Sequence, residues 1–439
     1  MRDRETFYGY KIYESIDGIN GFNNKNDIDG IDGINTIDGV DGNNAIDGIG
    51  DINIIDENYF INSKSTNTSA EIAHQPRLWN CLGTMLLEKK NIISAFMEKI
   101  LNIDKIRIIF TGAGSSAFIG DALSILVAKS AGIKAESIHS TDIVSAPKSF
   151  LFADVPTLLI SFARSGKSPE SMGAVKHARA VIKDLYELAI VCNDTSDLFN
   201  LTLESDKSMI LVMPEGSNDK GFAMTSSVTC MLLTGFALFH ADKINELAQD
   251  ISMLSNNVAS SGIKFTAAAL QWAKTDFDRI VYLSCGFLKH IAHEASLKMM
   301  ELTNGIVNGS FETATGFRHG PKSVIKDKTI TVHMISSDHF TAKYDIDLLA
   351  EVSGQQKGNK IITICGDDEA ERVAGAGDEI ITVGAGGYKI GGEICAGIHM
   401  LVFCQMLAMF KSISLGICVD NPAPSGEVNR VVKGVNIYY

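Results

Sequence analysis

The chain has no C-x-x-C pair, no long basic cluster and no completed nucleotide-binding loop, and each absence removes a class of function. Its eight cysteines stand singly, and Cys192, Cys365 and Cys404 lie inside apolar runs, so they read as buried thiols of a reducing compartment. A net charge of −13, with the basic residues scattered, argues against a nucleic-acid partner. No run of about 18 uncharged apolar residues is flanked as a membrane span, and the first residues lack the basic-then-apolar pattern of a secretory signal. A soluble, cytoplasmic protein that engages no membrane is expected. The segment His290-Ile-Ala-His293-Glu294 invites zinc, but its order is neither H-E-x-x-H nor H-x-x-E-H, and no metal is expected there.

With 439 residues, 45% of them hydrophobic, the chain has ample core for two domains. Residues 1–69 are set apart. They carry Asp-Gly units at Asp17, Asp29, Asp32, Asp38, Asp41 and Asp47, and isolated isoleucines among Gly, Asn and Asp cannot build a core. This acidic, low-complexity extension is expected to be disordered, and the twelve-residue calcium loop with its closing Glu is missing. Strands and helices then alternate twice, over residues 70–250 and 251–439, which predicts two α/β halves with parallel sheets covered on both faces. The apolar segment Cys395–Phe410 reads as a helix too short to span a membrane, placed in the core or at a dimer interface.

Two apolar runs in the first half stop at small hydroxylic residues. Ile106–Phe110 reads as a buried strand, followed by Gly112, Gly114, Ser115 and Ser116 before an apolar helix. Leu158–Ser161 reads as a second strand, followed by Arg164, Ser165, Gly166, Lys167 and Ser168 before a helix starting near Pro169. Hydroxyls and unpaired N–H groups at a helix N-terminus suit an anion, and two such turns at neighbouring parallel strands would converge on one phosphate. Neither turn completes a known nucleotide fingerprint. Ala117 stands where the third glycine of G-x-G-x-x-G belongs, and Ser161 stands where a Walker A loop ending in Gly166-Lys167-Ser168 would begin. A phosphate on a small molecule is therefore expected. Each turn read alone is also an ordinary N-cap.

The second half concentrates charge between Glu294 and Pro321. Glu294, Lys298 and Glu301, spaced i, i+4 and i+7, share one helix face, while Leu297, Met300 and Leu302 point elsewhere and are free to bury. His319 follows on a turn bounded by Gly316, Gly320 and Pro321. An acid from a helix and an imidazole from a loop are the usual tools of proton transfer. The same residues also fit a blander pattern: a solvated Glu–Lys pair, a turn histidine and, in Lys433, a tail lysine at the surface.

The phrases His74–Trp79 (HQPRLW), Thr111–Asp121 (TGAGSSAFIGD), Ser161–Ser171 (SFARSGKSPES), Gly221–Ser227 (GFAMTSS), EASLKMMELTNG and RHGP carry a family likeness. From about residue 70 onward the chain resembles tandem SIS-domain (sugar isomerase) proteins, and among them the AgaS-like galactosamine-6-phosphate deaminase/isomerase family. It is also similar to the isomerase half of glucosamine-6-phosphate synthase. The resemblance implies two flavodoxin-like SIS domains, no cofactor, and a homodimer or higher homo-oligomer with a shared active site. It implies that galactosamine 6-phosphate is converted to tagatose 6-phosphate and ammonia. By the same resemblance Ser115, Ser116, Ser165 and Ser168 match phosphate-binding hydroxyls, and Glu301 matches the acid that moves a proton between C1 and C2. His319 matches a ring-opening histidine supplied by the neighbouring subunit, Lys298 and Glu294 match polar groups near the sugar, and Lys433 matches a Schiff-base lysine. Where the synthase has Ser-Gln-Ser, this chain has Ala163-Arg164-Ser165, and Lys167 replaces an acid, so a more ionic phosphate grip is expected. The alternatives are a tagatose-6-phosphate ketose/aldose isomerase without deamination and a non-catalytic sugar-phosphate sensor.

Overall fold

The computed structural model describes residues 57–439 apart from 356, 357 and 433, so most of the acidic extension lies outside it. The described chain is already helical before residue 70, with α1 (Glu57–Asn62) and α2 (Thr66–Ala73). They are held by the far end of the chain. The Asp420 carboxylate accepts from the Asn67 and Thr68 backbone N–H groups at 3.0 and 2.9 Å, and Phe60 meets Phe410 with ring centroids 6.5 Å apart. Residues 57–69, expected to belong to a disordered extension over 1–69, are therefore largely helical, because a distant carboxylate supplies the cap that α2 itself lacks; residues 1–56 lie outside the described residues.

After α3 (Gln75–Leu101), the first half runs β1 (Arg107–Thr111), α4 (Ser115–Ala131), β2 (Glu136–Ser137), α5 (Ser140–Ser145), α6 (Pro147–Phe150), β3 (Thr157–Ala163) and α7 (Pro169–Val181). It continues through β4 (Leu185–Val191), α8 (Asp197–Leu203), β5 (Ser208–Val212) and α9 (Ser226–Leu238) to α10 (Ile244–Ala273). The second half runs β6 (Arg279–Leu283), α11 (Leu288–Leu302), β7 (Asn308–Glu312), β8 (Thr329–Met334), α12 (His339–Gly354), β9 (Lys360–Gly366), β10 (Glu379–Val383) and α13 (Gly392–Ser414). Each half forms a five-stranded, wholly parallel sheet, ordered β2-β1-β3-β4-β5 and β7-β6-β8-β9-β10. This is one topology used twice. The β3 side chains are buried on both faces, which accounts for a continuous apolar run where alternation would mark a half-exposed strand.

The halves share their main core. A single cluster joins Phe110 and Phe162 of the first sheet to Tyr282 and Val332 of the second through α9, α10 and α13, while two smaller clusters cover the outer faces. The expected division at 250/251 falls within α10, a continuous helix that packs on both α3 and α13. The apolar C-terminal helix is longer than Cys395–Phe410. At 23 residues α13 is long and apolar enough to cross a membrane, but it is buried inside the protein's own core.

Burying whole helices creates a problem at their N-termini, where the first N–H groups lack partners and the dipole is positive. Both core helices solve it with an aspartate. Asp219 accepts from the backbone N–H groups of Thr225, Ser226 and Ser227 at 2.9, 3.1 and 3.0 Å, and from all three of their hydroxyls. Asp250 accepts from the N–H groups of Lys389, Ile390 and Gly391 at 2.7, 2.8 and 2.7 Å, just before α13. Replacing Asp219 by Ala leaves those buried donors without a partner. Urea titration is expected to show a loss of about 3 kcal/mol of stability in this variant, with Asn intermediate; an unchanged midpoint would contradict the capping role.

Candidate functional site

Strands β1 and β3 are neighbours, and the chain leaves their carboxyl ends in the two hydroxylic turns, at the point where strand order reverses. The first turn depends on its glycines. A Cβ on Gly112 would stand 2.6 Å from the Ser116 carbonyl carbon, and Gly114 takes φ +57° where α4 begins. This brings Ser115 and Ser116, both nearly buried, to the first turn of α4. In the second turn the Ser165 hydroxyl accepts from the Lys167 N–H at 3.3 Å, and Ser168 caps α7 by accepting from the Ser171 N–H at 3.2 Å. Lys167 itself points to solvent.

The charged face of α11 is not solvated. It packs against α4, with Glu294 and Lys298 buried, whereas Met300 is exposed and Leu297 half-buried. Of the apolar trio expected to bury, only Leu302 is fully buried. The reversal follows from what the charges meet. Lys298 Nζ lies 2.6 Å from Glu301 Oε2, 3.3 Å from Glu294 Oε1 and 3.0 Å from Ser115 Oγ, and that hydroxyl donates to Glu294 Oε1 at 3.1 Å. Ser115 thus joins the two halves of the chain. Glu301 is the member of the set that reaches solvent, with 26% of its side chain exposed.

Burial opposes the charged form of Lys298, yet Glu294 and Glu301 outweigh it and hold the ammonium above the usual lysine range. Burial pushes the Glu294 carboxyl up to about 7, Lys298 pulls it back, and Glu301 adds to the rise. Its second oxygen, Oε2, is buried without a hydrogen-bond partner. Beside this set, His293 is sandwiched between Phe118 and Phe311 at centroid distances of 3.6 and 3.9 Å, and burial lowers its pKa to about 4. Asp121 holds His139 at 3.1 Å.

The other expected residues fall elsewhere. Arg164 is buried and donates to the backbone carbonyls of Phe222 and Arg430 at 3.3 and 2.8 Å, so at least two of its donors already have partners. His319 ends a short 3-10 turn and is exposed, with no side-chain hydrogen bond or ion pair to Glu294, Lys298 or Glu301 among the described residues. Lys433 lies outside the described residues. Asp219 and the tail residue Arg430 carry no motif that spacing could reveal, and only the fold brings them to the Gly221–Ser227 loop.

The second half contains the corresponding crevice, between β6 and β8, in altered form. Gly286 has φ +59°, but Phe287 and Leu288 follow it where Ser115 and Ser116 follow Gly114. Both are buried. The buried Asp345 carboxylate accepts from the Ser336 N–H at 3.1 Å, and burial pushes its pKa up to about 6. Apolar bulk and a built-in anion make this second crevice unsuited to phosphate.

Because Glu294 holds its proton more tightly in the folded than in the unfolded chain, its ionisation costs stability as pH rises from about 4.5 to about 7. The Glu294→Gln variant escapes that cost. Its stability relative to wild type should therefore rise across this window, by on the order of 1–3 kcal/mol in denaturant titrations. A pH-independent difference would contradict the assignment.

A model of the SIS domain family matches residues 101–241 and 275–409, one match over each sheet. The D-galactosamine-6-phosphate deaminase AgaS of Shewanella sp. (strain ANA-3) is 38% identical over 374 residues, covering 84% of this chain and 91% of that protein. A crystal structure from Clostridium novyi NT is 37% identical with TM-score 0.84, covering 89% of this chain and 99% of that one. The tagatose-6-phosphate ketose/aldose isomerase of Escherichia coli is 34% identical with TM-score 0.77, covering 85% and 96%. With a family model over each sheet and relatives above 30% identity along nearly their whole length, the chain belongs to the SIS-domain family and, within it, to the AgaS-like enzymes of sugar-phosphate isomerisation and deamination.

Proposed function

We propose that the enzyme converts galactosamine 6-phosphate and water to tagatose 6-phosphate and ammonia. The observation carrying this reading is the imbalance in the α11 set. Two carboxylates share one ammonium, and Glu294 Oε2 has no partner. With both acids ionised the set holds one uncompensated negative charge, which complements the cationic amine of an amino sugar more strongly than a neutral hydroxyl, which can offer it a hydrogen bond but no charge.

The chemistry needs one proton carrier. Opening of the sugar ring exposes a C1 aldehyde, and loss of the C2 proton then gives an enolamine. Protonation at C1 leaves an imine at C2, and water replaces the nitrogen to give the ketose and ammonia. Glu301, partly open to solvent and 2.6 Å from Lys298, is proposed to move the proton from C2 to C1. Ser116, Ser165 and Ser168 are proposed to hold the phosphate at the two helix N-termini. His319 is proposed to open the ring from a neighbouring subunit, in keeping with its exposure and with the exposed apolar side chains of Met300 and Ile306 nearby in sequence. Lys433 is proposed to meet the ketose carbonyl.

Isomerisation without deamination is the second reading, favoured by the name of the Escherichia coli relative. Ammonia release from galactosamine 6-phosphate separates the two. Wild type should release it stoichiometrically with ketose, and Glu301→Gln should lose at least about a hundredfold in kcat while keeping its fold. Ketose formed from an aldose 6-phosphate with no ammonia from the amino sugar would establish the isomerase instead.

A further inference from the structure

The C-terminal tail is fastened to the segments that frame the phosphate turn. Arg164, next to Ser165, donates to the Arg430 carbonyl at 2.8 Å and to the Phe222 carbonyl at 3.3 Å. Arg430 returns the contact, donating from Nε to the Gly221 carbonyl at 3.1 Å and from its terminal nitrogen to the Asp219 carbonyl. Two arginines far apart in the sequence thus clasp one loop, residues 219–222. Further along, Ile437 lies against Gly173 of α7, where an added Cβ would stand 2.9 Å from its Cγ2. The ring of Tyr439 lies 5.2 Å from that of His177 and 5.6 Å from Lys176 Nζ, also on α7. Helix α7 is the one that Ser168 caps.

Among the described residues the tail has few holds. Val432, Val435, Tyr438 and Tyr439 are exposed, so docking rests on the arginine clasp, the Ile437 contact and the partly solvated Tyr439 ring contacts, the profile of a segment with low local stability. The clasp also sets two cations side by side. Burial and the neighbouring Arg164 both lower the pKa of Arg430. An anion bound at the turn beside Arg164 would ease that repulsion.

We infer that Arg164 is a positioning residue that latches the C-terminal tail, through Arg430, to the phosphate turn, so that tail docking and phosphate binding strengthen each other. By linkage the coupling works in both directions. The inference rests on the reading that the β3–α7 turn receives the substrate's phosphate. It replaces the expected role of Arg164 as a direct phosphate ligand.

Trypsin cleavage of the full chain, followed by intact mass, reports tail docking, because Arg430 and Lys433 are both sites of cleavage. Saturating inorganic phosphate should slow loss of the tail by about tenfold in wild type, and this protection should vanish in Arg164→Met. In Arg430→Ala, cleavage after Lys433 should be fast with or without phosphate. In turnover, both variants should lose kcat/KM by about tenfold, and the double variant should lose no more than either alone, since both break one latch. Arg164→Lys, which keeps the charge but not the two-carbonyl fork, should not rescue. Full protection in Arg164→Met, or losses that multiply in the double variant, would overturn the latch. Phosphate binding to wild type without slowing cleavage would overturn it too. If calorimetry detects no phosphate binding to wild type, the phosphate-site reading fails instead, a result distinct from failure of the latch.

Discussion

Lys298 carries an ammonium with no exposed surface, and the arrangement of the site follows from keeping it satisfied. A buried lysine is tolerated only where carboxylates and hydrogen-bond partners offset the loss of water. Glu294 and Glu301 come from its own helix, but the third partner, Ser115, comes from the other half of the chain. Satisfying the ammonium therefore ties α11 to the N-terminus of α4. The one acid of the set that reaches solvent, Glu301, is thereby held beside the turns suited to phosphate.

Two sheets of identical strand order need not give two sites. Each has a crevice where strand order reverses, and each enters its helix through a glycine with φ near +58°. One crevice keeps hydroxyls next to the glycine. The other fills the same positions with Phe287 and Leu288 and supplies its own anion in Asp345. The second half instead contributes α11, so one half presents the hydroxylic turns and the other the Glu294–Lys298–Glu301 set.

Much of this was legible in the sequence because it rests on local rules. Strand-length apolar runs and the helix start at Pro169 marked the first sheet, and the i, i+4, i+7 spacing marked the charged face of α11. What local rules cannot express was missed. Spacing shows that Glu294, Lys298 and Glu301 share a face but not which way it points, and a charged face is ordinarily solvated. Arg164 sits in a turn suited to anions, yet the carbonyls that take its donors belong to residues 222 and 430. The Asp219 cap depends on a loop closing on itself, and α10 crosses the expected domain boundary because its apolar face serves both halves. Long-range pairing links these misses, polar for Lys298, Arg164 and Asp219 and apolar for α10.

Buried Glu294, partly exposed Glu301 and Lys298 are proposed to select a cationic amine. Calorimetry with two unreactive open-chain analogues, galactosaminitol 6-phosphate and galactitol 6-phosphate, tests it without turnover. The account predicts that the amine analogue binds at least about tenfold more tightly to wild type and loses that advantage in Glu294→Gln. Equal affinities in wild type would contradict it.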